Sequence, residues 1–375
     1  MNFRIFFDAL PDELFEAIKQ PNTMLHQVIL HKENFPNWQD IQAAIIGISD
    51  DGGADEIRKR FYSLKKGNSS AVIADLGNLR KGVDEQETLN RLKEVCNSLM
   101  ETNVIPIILG GAHHLDLGQF LAYEDTGKHV NFLNVDAFFD MYGSEEFGKD
   151  RHHIHRILMH EPPLLFHYSH LAYQTYLVDP ETINILEKLH YELYRIGRIR
   201  ENLQDIEPVI RNADMMSFDL SSLRQMDAPG TNNPQPFGLT GEEACQICWY
   251  AGMSPRMSSV GLYGFSPFQD EKGQTSGVIA TMLWYFLEGF GCRNNGFDEK
   301  DSQITKYIVS LNEDPHKLTF YKHNISEQWW MEVPFPNDKK KFARNSIVPC
   351  SYEDYTQANK GEIPVRWLLT HAKLI

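Results

Sequence analysis

Residues 104–114 read VIPIILGGAHH, and residues 130–140 read VNFLNVDAFFD. In each stretch a short, nearly continuous apolar run leads into side chains that can bind a metal ion. Apolar runs of this length are typical of strands that are buried on both faces, as the strands of parallel sheets are. We therefore predict that both segments are inner strands of a parallel sheet.

Similar apolar runs recur along the chain and alternate with helical patterns. We predict five further strands, at residues 43–49, 71–76, 193–196, 215–218 and 260–265. Helices are expected over residues 87–100 and 276–290, and a capping box of Thr240 with Glu243 predicts the start of another. This alternation predicts an α/β fold whose parallel sheet is covered by helices on both faces.

The composition is that of a globular protein with a strongly acidic balance. Of the 375 residues, 42% are hydrophobic, and 36 basic against 51 acidic residues give a net charge of −15. Binding to nucleic acid or to an anionic membrane surface depends on Lys and Arg, so we expect neither partner. No apolar run is long enough to span a bilayer, and the N-terminal residues do not resemble a secretory signal.

The five cysteines are scattered and odd in number, which favours reduced thiols and a cytoplasmic location. Cys245 and Cys248 form a CxxC pair, but no second pair with zinc-finger spacing lies nearby, and we interpret them as apolar positions of a helix.

The amino-acid composition changes near residue 296. We therefore predict an α/β domain over 1–296 and a C-terminal extension over 297–375 that packs on it. In this extension Trp329 and Trp330 are expected to contact the body, with an oligomer contact as the alternative.

Metal-type side chains follow three of the predicted strands, where ligands of open parallel sheets are bound. One imidazole and three carboxylates suit Mn²⁺ or a similar divalent ion better than a structural zinc. Each residue taken alone has a simpler explanation, since an Asp after a strand is often a turn former or a helix cap. Together they predict a metal site composed of His113, Asp136, Asp140 and Asp219.

Three segments resemble the signatures of a known family. GGAHH, DAFFD, and SFDLSSLRQMDAPG followed by FGLTGEE resemble those of the arginase/agmatinase/formimidoylglutamase (ureohydrolase) family, and most of all a bacterial formimidoylglutamase-like branch. The similarity spans about residues 40–290. It implies a three-layer α/β/α fold with about eight strands, a homo-oligomer, and hydrolysis of C–N bonds in guanidines or amidines with a manganese pair.

The chain departs from the family pattern at two metal positions. By the resemblance, the four residues named above are the complete protein ligand set of one ion. Phe138 and Ser221 stand where the family has a His and an Asp that serve only the second ion. The resemblance therefore implies one Mn²⁺ and a degraded second site.

Other departures concern the substrate and the acid–base group. Gly264 takes the place of a family Glu that grips a guanidinium, so a linear amidine such as formimidoylglutamate is favoured over arginine or agmatine. The position of the family's proton-shuttling His falls on His153, with His155 nearby, and these two are our predicted catalytic residues. The alternative is a helix start that carries surface imidazoles.

These residues predict a small-molecule hydrolase with a metal-bound hydroxide as its nucleophile. The alternative is a non-catalytic relative that keeps one metal as a structural or ligand-sensing site. Nucleotide binding through Asp50-Asp51-Gly52-Gly53 is a weaker hypothesis, because neither GxGxxG nor a P-loop lysine is present.

Overall fold

A large, mostly parallel sheet organises the first three quarters of the chain. The structure, a computed structural model, describes residues 3–48, 52–144, 146, 148–311, 317–335 and 345–374. Within them the sheet has ten strands in the order β1-β4-β3-β5-β10-β9-β6-β7-β8, with β2 beside β4, and β1 alone runs antiparallel to its neighbour. The strands are β1 Phe7–Asp8, β2 Val28–Leu30, β3 Ala43–Gly47, β4 Ile73–Leu79, β5 Ile105–Leu109, β6 Val130–Val135, β7 Leu165–Tyr173, β8 Glu192–Arg195, β9 Met215–Asp219 and β10 Ser259–Tyr263.

Helices cover both faces of this sheet. One apolar cluster joins the sheet to α1, α8 and α9, and a second joins it to α2, α3 and α5. The predicted three-layer α/β/α fold is therefore confirmed. The helices are α1 Gly53–Ser63, α2 Glu85–Glu101, α3 Asp116–Leu121, α4 His153–Leu158, α5 Pro180–Lys188, α6 Ile196–Glu201, α7 Glu207–Arg211, α8 Gly241–Met253 and α9 Gln274–Gly291.

The predicted start of α8 is confirmed in detail. The Thr240 hydroxyl accepts from the Glu243 amide, while the Glu243 carboxylate accepts from the Thr240 amide, so two amides that a helix start leaves unpaired are satisfied. Cys245 and Cys248 are buried along this helix. The Asp50-Asp51 pair lies outside the described residues.

All seven predicted strands are present, but the short β1 and β2 and the longer β7 were not predicted. Of these, β7 is the one that lies next to the predicted strand β6. Its sequence LFHYSHLAY is interrupted by His167 and His170, which break the apolar run. Both imidazoles are buried and paired: His167 Nε2 lies 3.0 Å from a carboxylate oxygen of Glu192, and His170 Nε2 lies 3.0 Å from the carbonyl oxygen of Asp136. Polar side chains with such partners are compatible with an inner strand.

The chain after α9 forms a second, antiparallel sheet with its own apolar core. Its strands, in the order β11-β12-β13-β14, are Ile304–Ser310, Lys317–His323, Trp329–Glu332 and Ile347–Cys350, followed by α10 Tyr352–Asn359 and α11 Val365–Leu374. Arg211 of α7 donates to the carbonyl of Trp329, and its guanidinium lies 4.7 Å from the ring centroid of Trp330. Both tryptophans thus contact Arg211 of α7.

In the described part of the chain, no helix combines the length and apolar character that crossing a bilayer requires.

Candidate metal centre

Four neighbouring strands, β5, β10, β9 and β6, end at one edge of the sheet, and the predicted ligands follow or end three of them, β5, β6 and β9. After β5 the chain turns at Gly110 and Gly111, both at positive φ, which glycine adopts without strain, and this turn brings His113 over the edge. Asp136 follows β6 directly, and Asp219 is the last residue of β9.

The four predicted ligands converge on one point. The Nδ1 atom of His113 lies 3.6 Å from Oδ2 of Asp136, 3.5 Å from Oδ2 of Asp140 and 3.6 Å from Oδ2 of Asp219. All four side chains are buried. Three carboxylate oxygens and one imidazole nitrogen therefore face a common centre.

The other nitrogen of His113 has partners that fix the orientation of the ring. Nε2 lies 3.0 Å from Oγ of Ser217 and 3.6 Å from Oδ2 of Asp116. A proton on Nε2 would be donated to Oγ of Ser217 and would leave the lone pair of Nδ1 directed at the three aspartates. A metal-binding histidine typically has a second hydrogen bond of this kind.

The electrostatics of the cluster favour a bound cation. Burial, with Asp140 and Asp219 nearby, raises the pKa of Asp136 well above its ordinary value, and burial also raises the pKa of Asp219. Among the described residues, Oδ2 of Asp136 is a buried oxygen without a hydrogen-bond donor. Buried carboxylates that lack donors are stabilised by coordinating a metal, and this mixed oxygen and nitrogen set fits one ion of the Mn²⁺ type.

Asp116 and His153 form a layer behind the ligands. His153 is only 1% exposed; its Nδ1 lies 2.7 Å from Oδ1 of Asp116, and its Nε2 lies 3.4 Å from Oδ2 of Asp140. Burial would lower the pKa of His153, but Asp116 raises it above its ordinary value. His113, Asp116 and His153 are close enough to form an alternative ligand group. Asp116 is not among the residues predicted from the sequence, because an Asp at the start of α3 also fits a helix cap.

Phe138 and Ser221 supply the hydrogen-bond donors to the outer oxygens of two predicted ligands, Asp136 and Asp219. Oδ1 of Asp136 accepts from the Ser221 hydroxyl at 2.5 Å and from the Phe138 amide at 3.2 Å. Oδ1 of Asp219 accepts from the Ser221 amide at 2.7 Å. Both carboxylates therefore point one oxygen at the centre and use the other in a hydrogen bond to a neutral donor.

A cavity of about 640 Å³ opens above the four predicted ligands. Among the described residues that line it are the basic Lys81 and Arg151 and the amides of Asn232 and Asn233, but neither His153 nor His155. The ring of His155 instead stacks on that of His152, with centroids 5.1 Å apart.

Gly264 closes one side of the centre and cannot hold a larger residue without change. Its φ is +83°, and a Cβ atom there would lie 2.5 Å from Oδ2 of Asp219. The backbone amide of Gly264 also donates to the carbonyl of Gly111 at 3.0 Å, which fixes the close approach. This steric restriction excludes a carboxylate side chain from the position in the present backbone.

Comparison of the sequence with known proteins places it near one group of hydrolases. A sequence model of the arginase family matches residues 49–288. The formimidoylglutamase of Geobacillus kaustophilus is 26% identical over 232 residues, a match that covers 58% of this chain and 71% of the relative. That of Legionella pneumophila is 23% identical over 248 residues, covering 63% of this chain and 77% of the relative.

Solved structures share the fold. Formimidoylglutamase from Bacillus subtilis superposes with a TM-score of 0.65 at 20% identity, covering 74% of this chain and 95% of that one. Trypanosoma cruzi formiminoglutamase with manganese gives a TM-score of 0.62 at 18% identity, covering 76% and 100%. An agmatine ureohydrolase of Thermoplasma volcanium gives 0.58 at 21% identity, covering 74% and 97%.

Proposed function

Since the chain belongs to the arginase family, we propose that it is a formimidoylglutamase-like hydrolase that uses one Mn²⁺ to cleave a C–N bond of a linear amidine. The observation that carries this proposal is the convergence of His113 with Asp136, Asp140 and Asp219 at the floor of a cavity large enough for a small substrate. The curated relatives named above are formimidoylglutamases, which supports an enzyme of this class.

These four residues would hold the ion through three carboxylate oxygens and Nδ1 of His113. A divalent ion bound there supplies Lewis acidity, which lowers the pKa of a bound water molecule toward neutrality. The surrounding chain fixes the ligands: Ser217 orients His113, and Ser221 orients Asp136 and Asp219. Ligands held from behind in this way retain their geometry during turnover.

We infer the substrate class from particular groups that line the cavity. The steric restriction at Gly264 leaves no carboxylate there to pair with a guanidinium, which disfavours arginine and agmatine. Lys81 and the amides of Asn232 and Asn233 offer donors to an anionic group, beside the acidic lining residues Asp84, Glu85 and Asp150. An amidine that carries carboxylates, such as formimidoylglutamate, matches this combination.

For proton transfer, His153 is the better placed of the two predicted histidines, because it lies 3.4 Å from a ligand oxygen of Asp140 and is held by Asp116. It acts behind the ligands rather than on the cavity surface. A direct role for His155 stays a prediction from the sequence, as does a homo-oligomer.

One observation favours a second candidate function. Ser221 occupies the outer oxygens of Asp136 and Asp219, so the centre offers ligands for one ion on these atoms. A single ion lacks the clamp that a metal pair places on a nucleophile. The chain would then be a ligand sensor in which the ion is structural.

An assay of the reconstituted protein separates the two functions. Mn²⁺-loaded protein is incubated with formimidoylglutamate, arginine, agmatine or guanidinobutyrate, and formamide, ammonia and urea are measured separately. We expect turnover of formimidoylglutamate, with the Asp219→Ala variant inactive. Saturable binding of formimidoylglutamate without turnover of any of the four compounds would instead support the sensor.

A further inference from the structure

Arg151 contacts the acidic cluster from the cavity side. Its Nη1 donates to Oδ1 of Asp140 at 3.1 Å, and its guanidinium carbon lies 3.5 Å from the ring centroid of Phe138. The side chain is 24% exposed and lines the cavity. The Phe138 ring therefore contacts a cation, the Arg151 guanidinium, and offers no atom that could bind a metal.

The segment that carries Arg151 is fastened beside the ligands. The carboxylate of Asp150 accepts from the backbone amide of His114 at 3.0 Å and lies 2.6 Å from Nδ1 of the same residue, directly after the ligand His113. Lys149 pairs with Glu85 at the start of α2. The carbonyl of Arg151 itself accepts from the Tyr142 amide at 2.9 Å. These contacts place the guanidinium on both Phe138 and Asp140.

The cluster contains more negative charge than one divalent ion can offset. Asp136, Asp140 and Asp219 face the centre and are buried, so three carboxylates face one divalent charge, whereas Asp116 behind them is paired with His153. The Oδ1 atoms of the three aspartates, which point away from the centre, have different donors. Those of Asp136 and Asp219 accept from the neutral Ser221, whereas that of Asp140 accepts from the charged Arg151. A buried group of anions needs compensating cations, and Arg151 provides one that is permanently charged and does not exchange.

We propose that Arg151, seated on Phe138, is a built-in cation that takes the part of a second metal ion, so that this cluster holds one exchangeable divalent ion. The inference rests on the proposed function in one respect, namely that the cluster binds a metal. Arg151 is a positioning residue in this scheme, because it contacts Asp140 and not the ion.

Metal counting tests the inference without relying on turnover. Metal-free protein is titrated with Mn²⁺, bound ion is measured by elemental analysis and calorimetry, and paramagnetic resonance reports whether two ions are adjacent. The wild type is compared with Phe138→His/Ser221→Asp, which adds two ligands beside Asp136, and with the triple variant that also carries Arg151→Gln. A matched control replaces Arg151→Gln by Arg156→Gln, which removes the same charge from a nearby residue of α4 that does not line the cavity.

We expect one Mn²⁺ per chain in the wild type, the double variant and the control. The triple variant is expected to bind two, with a spin-coupled spectrum, and its second ion at least tenfold more tightly than any second ion of the double variant. A double variant that binds two ions as tightly as the triple variant overturns the inference. A wild type that binds two adjacent ions overturns it even if the variants fail to fold, and leaves the proposed hydrolase intact. A wild type that binds none defeats the metal-dependent function and this inference together.

Discussion

The hydroxyl of Ser221 donates to Oδ1 of Asp136 at 2.5 Å, while Oδ2 of the same carboxylate lies 3.6 Å from Nδ1 of His113. One carboxylate thus connects a neutral hydrogen bond on its outer side with the candidate metal centre on its inner side. An amide at position 136 could keep the first contact, because its oxygen accepts as a carboxylate oxygen does. It could not keep the second, because an NH₂ group does not bind a divalent cation.

We therefore expect Asp136→Asn to separate folding from metal binding. In metal-free protein the variant should be as stable as the wild type or more stable by about 1 kcal/mol, because a buried charge beside Asp140 and Asp219 is removed and the new NH₂ group can donate to them. Its affinity for Mn²⁺ should fall at least 100-fold. Thermal unfolding with and without Mn²⁺ measures both effects, since a ligand that binds only the folded state raises the midpoint.

Asp125→Asn is the control for this comparison, because Asp125 is exposed and lies outside the cluster. It should respond to Mn²⁺ as the wild type does. Equal stabilisation of Asp136→Asn and wild type by Mn²⁺ would show that the ion binds elsewhere.

Gly264→Ala should damage the centre through sterics alone. The added Cβ would lie 2.5 Å from Oδ2 of Asp219, and φ of +83° is unfavourable for alanine. We expect a loss of about 2–4 kcal/mol in stability and at least tenfold weaker Mn²⁺ binding. Gly127→Ala is a matched control, because Gly127 has φ of +65° and open space around the Cβ position. It should lose only about 1 kcal/mol and bind Mn²⁺ normally; a similar loss in both variants would assign the effect to backbone strain.

Much of this arrangement could be predicted from the sequence because each ligand follows a strand. The apolar runs before His113 and Asp136 indicate buried parallel strands, and the carboxyl ends of such strands lie at one edge. Strand β7 could not be predicted in this way, because His167 and His170 interrupt its apolar run. Their partners, Glu192 and the Asp136 carbonyl, come from other parts of the chain, and no local pattern reveals them.

The residues behind the predicted ligands were harder to predict for the same reason. Asp116 and His153 are 37 residues apart in sequence, and their contact depends on how α3 and α4 pack. Arg151 looks like an ordinary basic residue in a histidine-rich segment. Its role becomes visible only when Phe138 and Asp140 are seen beneath and beside it. Pairings across loops are set by tertiary structure, which composition and periodicity do not encode.

The two predicted catalytic histidines should behave differently when they are replaced. His153→Gln removes the imidazole between Asp116 and Asp140, and we expect roughly tenfold weaker Mn²⁺ binding and a loss of turnover of at least tenfold. His155→Gln is a control on the same helix, because its ring contacts His152 and not the ligands. It should retain Mn²⁺ affinity and turnover within about twofold. If His155→Gln binds Mn²⁺ normally but loses turnover, the sequence-based acid role belongs to His155.

Lys373 near the C-terminus of α11 should make stability depend on pH. Its amino group contacts Nδ1 of His167, and its Nζ lies 4.9 Å from the ring centroid of Tyr191. Burial lowers the pKa of Lys373 to about 7, although Glu192 opposes this change. The unfolded chain keeps the ordinary lysine pKa of about 10.4. Between these values the unfolded state binds a proton that the folded state does not, so folding becomes more favourable as pH rises from about 7.

Lys373→Met keeps the length of the side chain and removes this titration. We expect the free energy of unfolding of the wild type minus that of the variant to increase by roughly 2 kcal/mol between pH 7 and pH 9. Urea unfolding of both proteins at the two pH values measures the difference, and other titrating groups cancel in the comparison. Lys360→Met, at an exposed position, is the control and should follow the wild type at both pH values. If the difference between Lys373→Met and wild type is the same at pH 7 and pH 9, the lysine is charged throughout this range in the folded protein. The contact with His167 would then be a solvated one, and α11 would pack less closely on β7 than the structure shows.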